Sequence, residues 1–439
     1  MKMNWNNLLS EIRLGNESKE DSIGRSNFHK DYDRIVFSSS FRRLGKKTQV
    51  HPMTSNDHIH TRLTHSIEVS CVARSLGFIV GEKIKNDLPE NITPFNISEI
   101  VQAASLAHDI GNPPFGHAGE EAIKSWFREP KNEEKYLSSL EENQRDDLKN
   151  FEGNAQGFRI ITKIENNFEE GGLKLTYSTL GTFLKYPWTT RETKRIKKFS
   201  SFITEENILS KVCDKLGLIK IEDYKYKRHP LAYLVECADD ICYRILDLED
   251  AHELKIMNYK EIEDLLKPVC ETDRKLDDIL TSKSISNRRK VSYLRAKAIN
   301  TAIIKLSKTF LDNLDKIMEG NFEKDLFSAN NSTEINQLNE IKKISKEKIY
   351  SEPRKIELEI GSFSALGNLL DTFCSAVKEK ITGVNLSFRS DRILSMMGIN
   401  CPKKGDDLYQ SYMKVLDYLS GMTDHYATYM SKQISGDAK

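Results

Sequence analysis

The sequence lacks any apolar run near the ~18–20 residues that a bilayer crossing takes, so no segment reads as a transmembrane helix. Residues Met1 to Leu14 have neither the apolar stretch nor the small-residue cleavage site of a secretory signal. Cysteine is sparse: seven residues (71, 213, 237, 242, 270, 374 and 401), an odd number, with no Cys-x-x-Cys pair. That usage excludes a disulfide-stapled scaffold and fits a reducing compartment, where thiols fill core space. These absences predict a cytoplasmic protein with no membrane partner. Neither sign of charge is in excess, since 66 Lys plus Arg stand against 65 Asp plus Glu for a net charge of +1. A surface that is one continuous nucleic-acid footprint is thereby excluded, whereas a local basic patch is not. There is no low-complexity tract and no repeat of roughly 20–50 residues, which excludes a disordered chain and a solenoid.

What is present favours helices. Proline is scarce at 11 residues of 439, while Lys, Glu, Leu and Ile are plentiful. From Ile59 to Ile84 the apolar set Leu63, Ile67, Val69, Val72, Leu76, Ile79 and Val80 tracks one helical face. A second helix is predicted from a Ser98 start to Gly111, before Pro113-Pro114, and a third over Pro230–Leu254. Ile299–Leu314, Phe363–Ile381 and Leu408–Met430 repeat the pattern. Leu173–Tyr177 and Ile356–Ile360 alternate and are the two strand candidates. Arg128–Lys149, Ser282–Arg289 and Gly320–Glu334 read as polar surface segments. The fold class expected is all-α, with minor short strands.

Six of the ten histidines (51, 58, 60, 65, 108 and 117) fall between residues 51 and 117, beside many carboxylates. The pair His108-Asp109 ends an apolar helix, immediately before Gly-Asn-Pro-Pro. Adjacent helical side chains diverge by roughly 100°, so both can hold one ion only at the helix edge. Two further ligands must come from other helices: His65 upstream, and an aspartate from Cys237-Ala-Asp-Asp240 downstream. Two imidazoles and two carboxylates suit a divalent transition metal and leave positions open for water or phosphate.

The longer words containing these residues resemble one family. Arg42-Arg-Leu-Gly-Lys-Lys-Thr-Gln-Val50, Thr61-Arg-Leu-Thr-His-Ser-Ile-Glu-Val69 and His108-Asp-Ile-Gly-Asn-Pro-Pro-Phe-Gly-His-Ala-Gly-Glu120 are similar to the bacterial deoxyguanosine triphosphate triphosphohydrolases of the HD superfamily of metal-dependent phosphohydrolases. So are Ala238-Asp-Asp-Ile-Cys-Tyr243, Asp247-Leu-Glu-Asp250 and Asp417-Tyr-Leu-Ser-Gly-Met-Thr-Asp424. The resemblance implies an HD-domain helical bundle. Residues 1–60 would contribute a helical segment to the substrate site. Residues 61–255 would form the HD core, with an insertion at about 124–228, and 256–439 a C-terminal helical region packed on it and in oligomer contacts.

It implies one divalent ion per site (Mn2+ or Mg2+ first, with Fe, Co or Zn compatible) held by His65, His108, Asp109 and Asp239. Helical register also favours Asp239 over Asp240, because Asp239, Tyr243 and Asp247 share a face at i, i+4, i+8, whereas Asp240 faces Arg244. His117 and Glu120 would be the catalytic pair, stacked at i, i+3, with the carboxylate orienting the imidazole. Gln49, Tyr243 and Asp247 would read the sugar, and Arg62 and Lys185 the phosphates. The basic run Arg191–Lys198 is either a solvated loop or a contact for polyphosphate or single-stranded DNA. The activity implied is metal-dependent hydrolysis of dGTP to deoxyguanosine and triphosphate by a homo-oligomer, with a hexamer favoured. The alternatives are a broader dNTP triphosphohydrolase activated by nucleotides at subunit interfaces, and a non-catalytic nucleotide- or single-strand-binding regulator.

Overall fold

The computed structural model describes residues 2–16, 24–51, 56–166, 168, 170–192, 198–271, 274–383 and 385–437. Local hydrogen bonding explains where its principal helices begin. α1 (Asn27–Phe37) starts at Ser26, whose hydroxyl accepts from the His29 amide. α2 (Arg62–Lys83) starts at Thr61, where Thr61 and Thr64 cap each other reciprocally. α3 (Pro94–Ala107) starts at Thr93 and not at Ser98 as expected. Proline at the first helical position has the right φ and no amide to leave unpaired, so it outcompetes the serine. Ser98 is instead buried inside the helix and donates to the Arg74 carbonyl at 2.9 Å. α4 (Gly116–Arg128) follows Phe115, which is held at φ 64°.

The long α5 (Ala232–Glu253) packs across α2 and α3, and α6 (Asn287–Asp312) and α7 (Thr333–Lys348) back it from the other side. α8 (Pro353–Ile381) lies against α4, α9 (Leu408–Ser420) and α10 (Asp424–Ser435). Twenty-one α-helices occur among the described residues, against one two-stranded antiparallel ribbon, β1 (Lys220–Glu222) and β2 (Lys225–Tyr226). The fold is all-α, as expected.

Two apolar clusters form the core. One joins Val69, Leu76, Ile100, Ala104, Ile241 and Ile245 of α2, α3 and α5. The other joins Trp126, Phe127, Leu366, Phe373, Tyr412 and Leu416 of α4, α8 and α9. α2 and α3 approach until a Cβ on Gly77 would stand 2.9 Å from Ser98 Cα, and one on Gly81 2.9 Å from Pro94 Cα. That backbone contact brings the start of α2 beside the end of α3, where His65 and His108 lie. Among the described residues α2 alone is long and apolar enough to cross a membrane, but half of its apolar stretch is buried in the fold, so its character is that of a core helix.

Both strand expectations are overturned. Ile356–Ile360 lies inside α8, because Glu352 caps the Lys355 amide and Pro353 opens the helix, and three alternating apolar residues do not outweigh that start signal. Leu173–Tyr177 makes only an isolated bridge, Thr176 to Arg13, and Lys174 at φ 51° breaks the extended path. Leu408–Met430 is two helices, broken between Ser420 and Asp424. Two polar segments are also less superficial than expected. Tyr136, Leu137 and Leu148 are buried, as are Phe322, Leu326 and Phe327. The seven cysteines are all free thiols.

Candidate active site

Three helices converge at the centre of the molecule. His65 projects from the first turn of α2, His108 caps the end of α3 with Asp109 following, and Asp239 projects from α5. His65, His108 and Asp109 offer donor atoms that all lie within 4.8 Å of one another. Asp239 joins them through Oδ1, 3.1 Å from His65 Nε2 and 3.6 Å from His108 Nε2. His108 Nε2 is likewise 3.6 Å from Asp109 Oδ1. Ligands held at about 2.1 Å from one ion stand roughly 3.0–3.4 Å apart, so donors already 3.1–3.6 Å from one another need only small side-chain shifts to enclose one. The donor set of two imidazoles and two carboxylates fits a divalent ion. Asp240 points away and pairs with Arg244 at 2.8 Å.

The electrostatics show a site built around charge. Burial would lower the His108 imidazole, but the carboxylates of Asp109 and Asp239 outweigh it and push it up to about 9. Burial would raise Asp109, yet Arg62 and the two imidazoles hold it down at about 2. Asp239 is likewise drawn well below the usual carboxylate range, against its burial, by His108 and His65. His108 Nδ1 lies 2.6 Å from the Ser105 carbonyl, an outer hydrogen bond that leaves Nε2 facing the cluster. Arg62 Nη1 donates to Asp109 Oδ2 at 2.7 Å. A Cβ on Gly116, at φ 57°, would stand 2.2 Å from Arg62 Nη2, so glycine there is what lets the guanidinium pass.

A cavity of about 260 Å³ opens beside the cluster, lined by His108, Asp109 and Asp239 together with His117, Glu120, Glu152, Lys185 and Lys198. His117, with 83% of its side chain exposed, places Nδ1 3.2 Å from Oε2 of Glu120, of which only 3% is exposed. Glu120 also accepts from the Gly153 amide at 2.8 Å. Burial would raise its carboxyl, but His117 and Lys198 hold it near 2. It is therefore a buried, ionised anchor for an exposed imidazole. Lys185 pairs with Glu236 at 3.3 Å, and that carboxylate raises its ammonium despite burial.

The remaining expected residues lie off this cavity. Arg62 is engaged by Asp109 and does not line it. Tyr243 stacks on Tyr350, with ring centroids 5.4 Å apart, and the Tyr350 hydroxyl donates to the Asp247 carboxyl. Burial pushes that carboxyl up to about 8. Gln49 leaves Oε1 buried without a partner, a polar atom that a ligand hydroxyl would satisfy.

Comparison with known proteins bears on what this geometry belongs to. Residues 62–216 match the HD domain family, a span that includes His65, His108, Asp109, His117, Glu120 and Lys185 and stops short of Asp239. A deoxyguanosinetriphosphate triphosphohydrolase-like protein of Pseudomonas aeruginosa is 44% identical over 439 residues, covering 99% of each chain. The chain belongs to that family. A Synechocystis protein of the same name is 38% identical over 99% of each chain. A deoxyguanosinetriphosphate triphosphohydrolase of Klebsiella pneumoniae is 30% identical, covering 91% of this chain and 92% of its own. HD domains bind divalent metal, and the cluster described above has the donors for it.

Within this family setting, two features had escaped the sequence, and a third, Lys198, was singled out only as part of the basic run. Tyr350 closes over Tyr243 and Asp247 from a turn after α7; an aromatic just ahead of Glu352-Pro353 was its only signal. Lys198 reaches the cavity, 2.8 Å from Glu152 and 3.7 Å from Glu120, as the last residue of the basic run whose residues 193–197 lie outside the described ones. Lys47 is buried, donating from Nζ to the carbonyls of Asn112 and Ser420, both at 2.6 Å. Burial lowers its ammonium to about 7.

Proposed function

We propose that the chain is a divalent-metal-dependent hydrolase of deoxynucleoside triphosphates that splits dGTP into deoxyguanosine and inorganic triphosphate. The observation that carries the proposal is the convergence of two imidazoles and two carboxylates beside a cavity that also holds Lys185, Lys198 and the His117–Glu120 pair. The names of the Pseudomonas, Synechocystis and Klebsiella relatives support the substrate.

An ion held by His65, His108, Asp109 and Asp239, Mn2+ or Mg2+ first with Fe, Co or Zn compatible, supplies Lewis acidity at the α-phosphate when bound. Lys185 and Lys198 offset the charge of the β- and γ-phosphates. Arg62 keeps the Asp109 carboxylate oriented. Water adds to the α-phosphorus as the bond to the 5′-oxygen breaks, so the triphosphate leaves whole. Glu120 fixes His117 through Nδ1, and Nε2 gives the departing 5′-oxygen its proton, while the proton lost by the attacking water passes to bulk solvent. Gln49 and Asp247 bind the 3′-hydroxyl, while the paired rings of Tyr243 and Tyr350 occupy the room a 2′-hydroxyl needs.

The test is chromatographic product analysis with each of the four dNTPs, alone and in pairs, using manganese-loaded protein. Triphosphate and deoxyguanosine from dGTP is the expected result. Hydrolysis of the others only when dGTP is present indicates the broader, nucleotide-activated enzyme. No triphosphate from any dNTP overturns the proposal.

A further inference from the structure

One buried carboxylate lines the cavity without a part in the reaction above. Glu152 is 1% exposed and stands immediately before the helix Gly153–Arg159. The first amides of a helix need acceptors, yet the Glu152 carboxylate makes no capping bond, and Glu120 takes the Gly153 amide at 2.8 Å. Glu152 turns instead to two donors that line the cavity with it. Its Oε1 accepts from Asn154 Nδ2 at 2.7 Å and from Lys198 Nζ at 3.0 Å, and its Oε2 lies 2.8 Å from the same ammonium.

Lys198 needs such a grip. Trp188 Nε1 donates to its carbonyl at 2.7 Å and so holds the backbone, but the side chain is a flexible four-carbon stem, 38% exposed. Two carboxylates compete for its ammonium, Glu152 at 2.8 Å and Glu120 at 3.7 Å. The Glu120 oxygen concerned, Oε2, is the one that lies 3.2 Å from His117 Nδ1. An ammonium that closed on it would take the acceptor from the imidazole and draw a positive charge away from the cavity.

We propose that Glu152 is a positioning residue, which holds the Lys198 ammonium and the Asn154 amide toward the phosphates and keeps that ammonium off the His117–Glu120 pair. The inference deepens the dNTP-hydrolase reading above and rests on it. A further negative charge beside a polyphosphate opposes binding, so its presence calls for a compensating role, and fixing the direction of a cation supplies one. Lys185 is held in the same manner by Glu236 at 3.3 Å, so each of the two lysines lining the cavity has its own carboxylate.

The experiment is a double-mutant cycle on the manganese-loaded enzyme with Glu152→Gln and Lys198→Met, reading kcat and KM for dGTP and the inhibition constant of inorganic triphosphate. Glutamine keeps an acceptor for Asn154, and a folding defect would appear equally in both backgrounds. Wild-type turnover of dGTP checks the hydrolase reading by itself; without it, both readings fall. With it, Glu152→Gln alone is expected to raise KM and the triphosphate inhibition constant about tenfold and to lower kcat as well. In the Lys198→Met background the same substitution is expected to change each constant by less than about twofold, because no ammonium remains to be steered. Wild-type constants in Glu152→Gln overturn the assignment while leaving the hydrolase intact. Equal losses with and without Lys198 overturn it as well, and mark a carboxylate that acts on the fold or on the substrate by itself.

Discussion

Asp424→Asn tests how the site is held together. Asp424 is the first residue of α10 and is 1% exposed. Its Oδ1 accepts from the Phe115 amide and its Oδ2 from the Thr48 amide, both at 2.9 Å. One carboxylate thus ties the loop ahead of Gln49 to the turn ahead of His117, and Lys47 adds the ties to Asn112 and Ser420. Asparagine keeps one acceptor and turns an amide donor toward the other buried N–H. The loss of a charge-assisted hydrogen bond and the stranding of a backbone donor together cost about 2–4 kcal/mol. At roughly 2–4 °C per kcal/mol for a large chain, Tm should fall by about 4–16 °C. Freed from its anchor, Phe115 lets His117 wander, and kcat on dGTP should drop about tenfold or more, equivalent to ~1.4 kcal/mol of barrier. Metal content should hold, because the Asp424 carboxylate bonds the Phe115 and Thr48 amides and none of His65, His108, Asp109 and Asp239. Thermal unfolding, steady-state kinetics and elemental analysis read the three quantities. Wild-type Tm together with wild-type kcat would refute the reasoning.

Asp109→Ala should abolish metal binding and turnover, whereas His117→Ala should retain metal and lose about 10²–10⁴ in rate; metal loss in both would place His117 among the ligands. Tyr243→Ala should weaken discrimination against GTP, and unchanged selectivity removes the sugar-gate role. Asp147 is buried, accepting from the Ile203 amide at 2.9 Å and from the Thr190 and Tyr409 hydroxyls, and burial pushes its carboxyl up to about 7. A carboxyl raised in the folded state contributes stability that is present below its unfolded value and is lost as pH climbs toward 7, on the order of 4 kcal/mol. Asp147→Asn should therefore flatten the fall in stability between about pH 4 and pH 7. Urea midpoints across that range that run parallel to wild type would count against it.

Much of the site was legible because its signals are local. The stripes of α2 and α5 follow from apolar residues three and four apart. Asp239 separates from Asp240 because neighbours on a helix diverge by roughly 100°, and the structure sets Asp239 against both imidazoles and Asp240 against Arg244. Ile356–Ile360 misled because its alternation spans too few residues to distinguish strand from exposed helix, and the deciding signal, Glu352-Pro353, lay just outside it.

The amino-acid order by itself indicated most of the helical segments, the face each candidate ligand occupies and the donor atoms available, since those depend mainly on neighbours within one helical turn. Only the tertiary structure decided that Tyr350 meets Asp247 across 103 residues, and that Asp424 reaches Thr48 across 376. Such contacts exist because whole helices bury against one another, as Gly77 and Gly81 permit between α2 and α3, and no short window of sequence encodes where that packing brings a distant side chain.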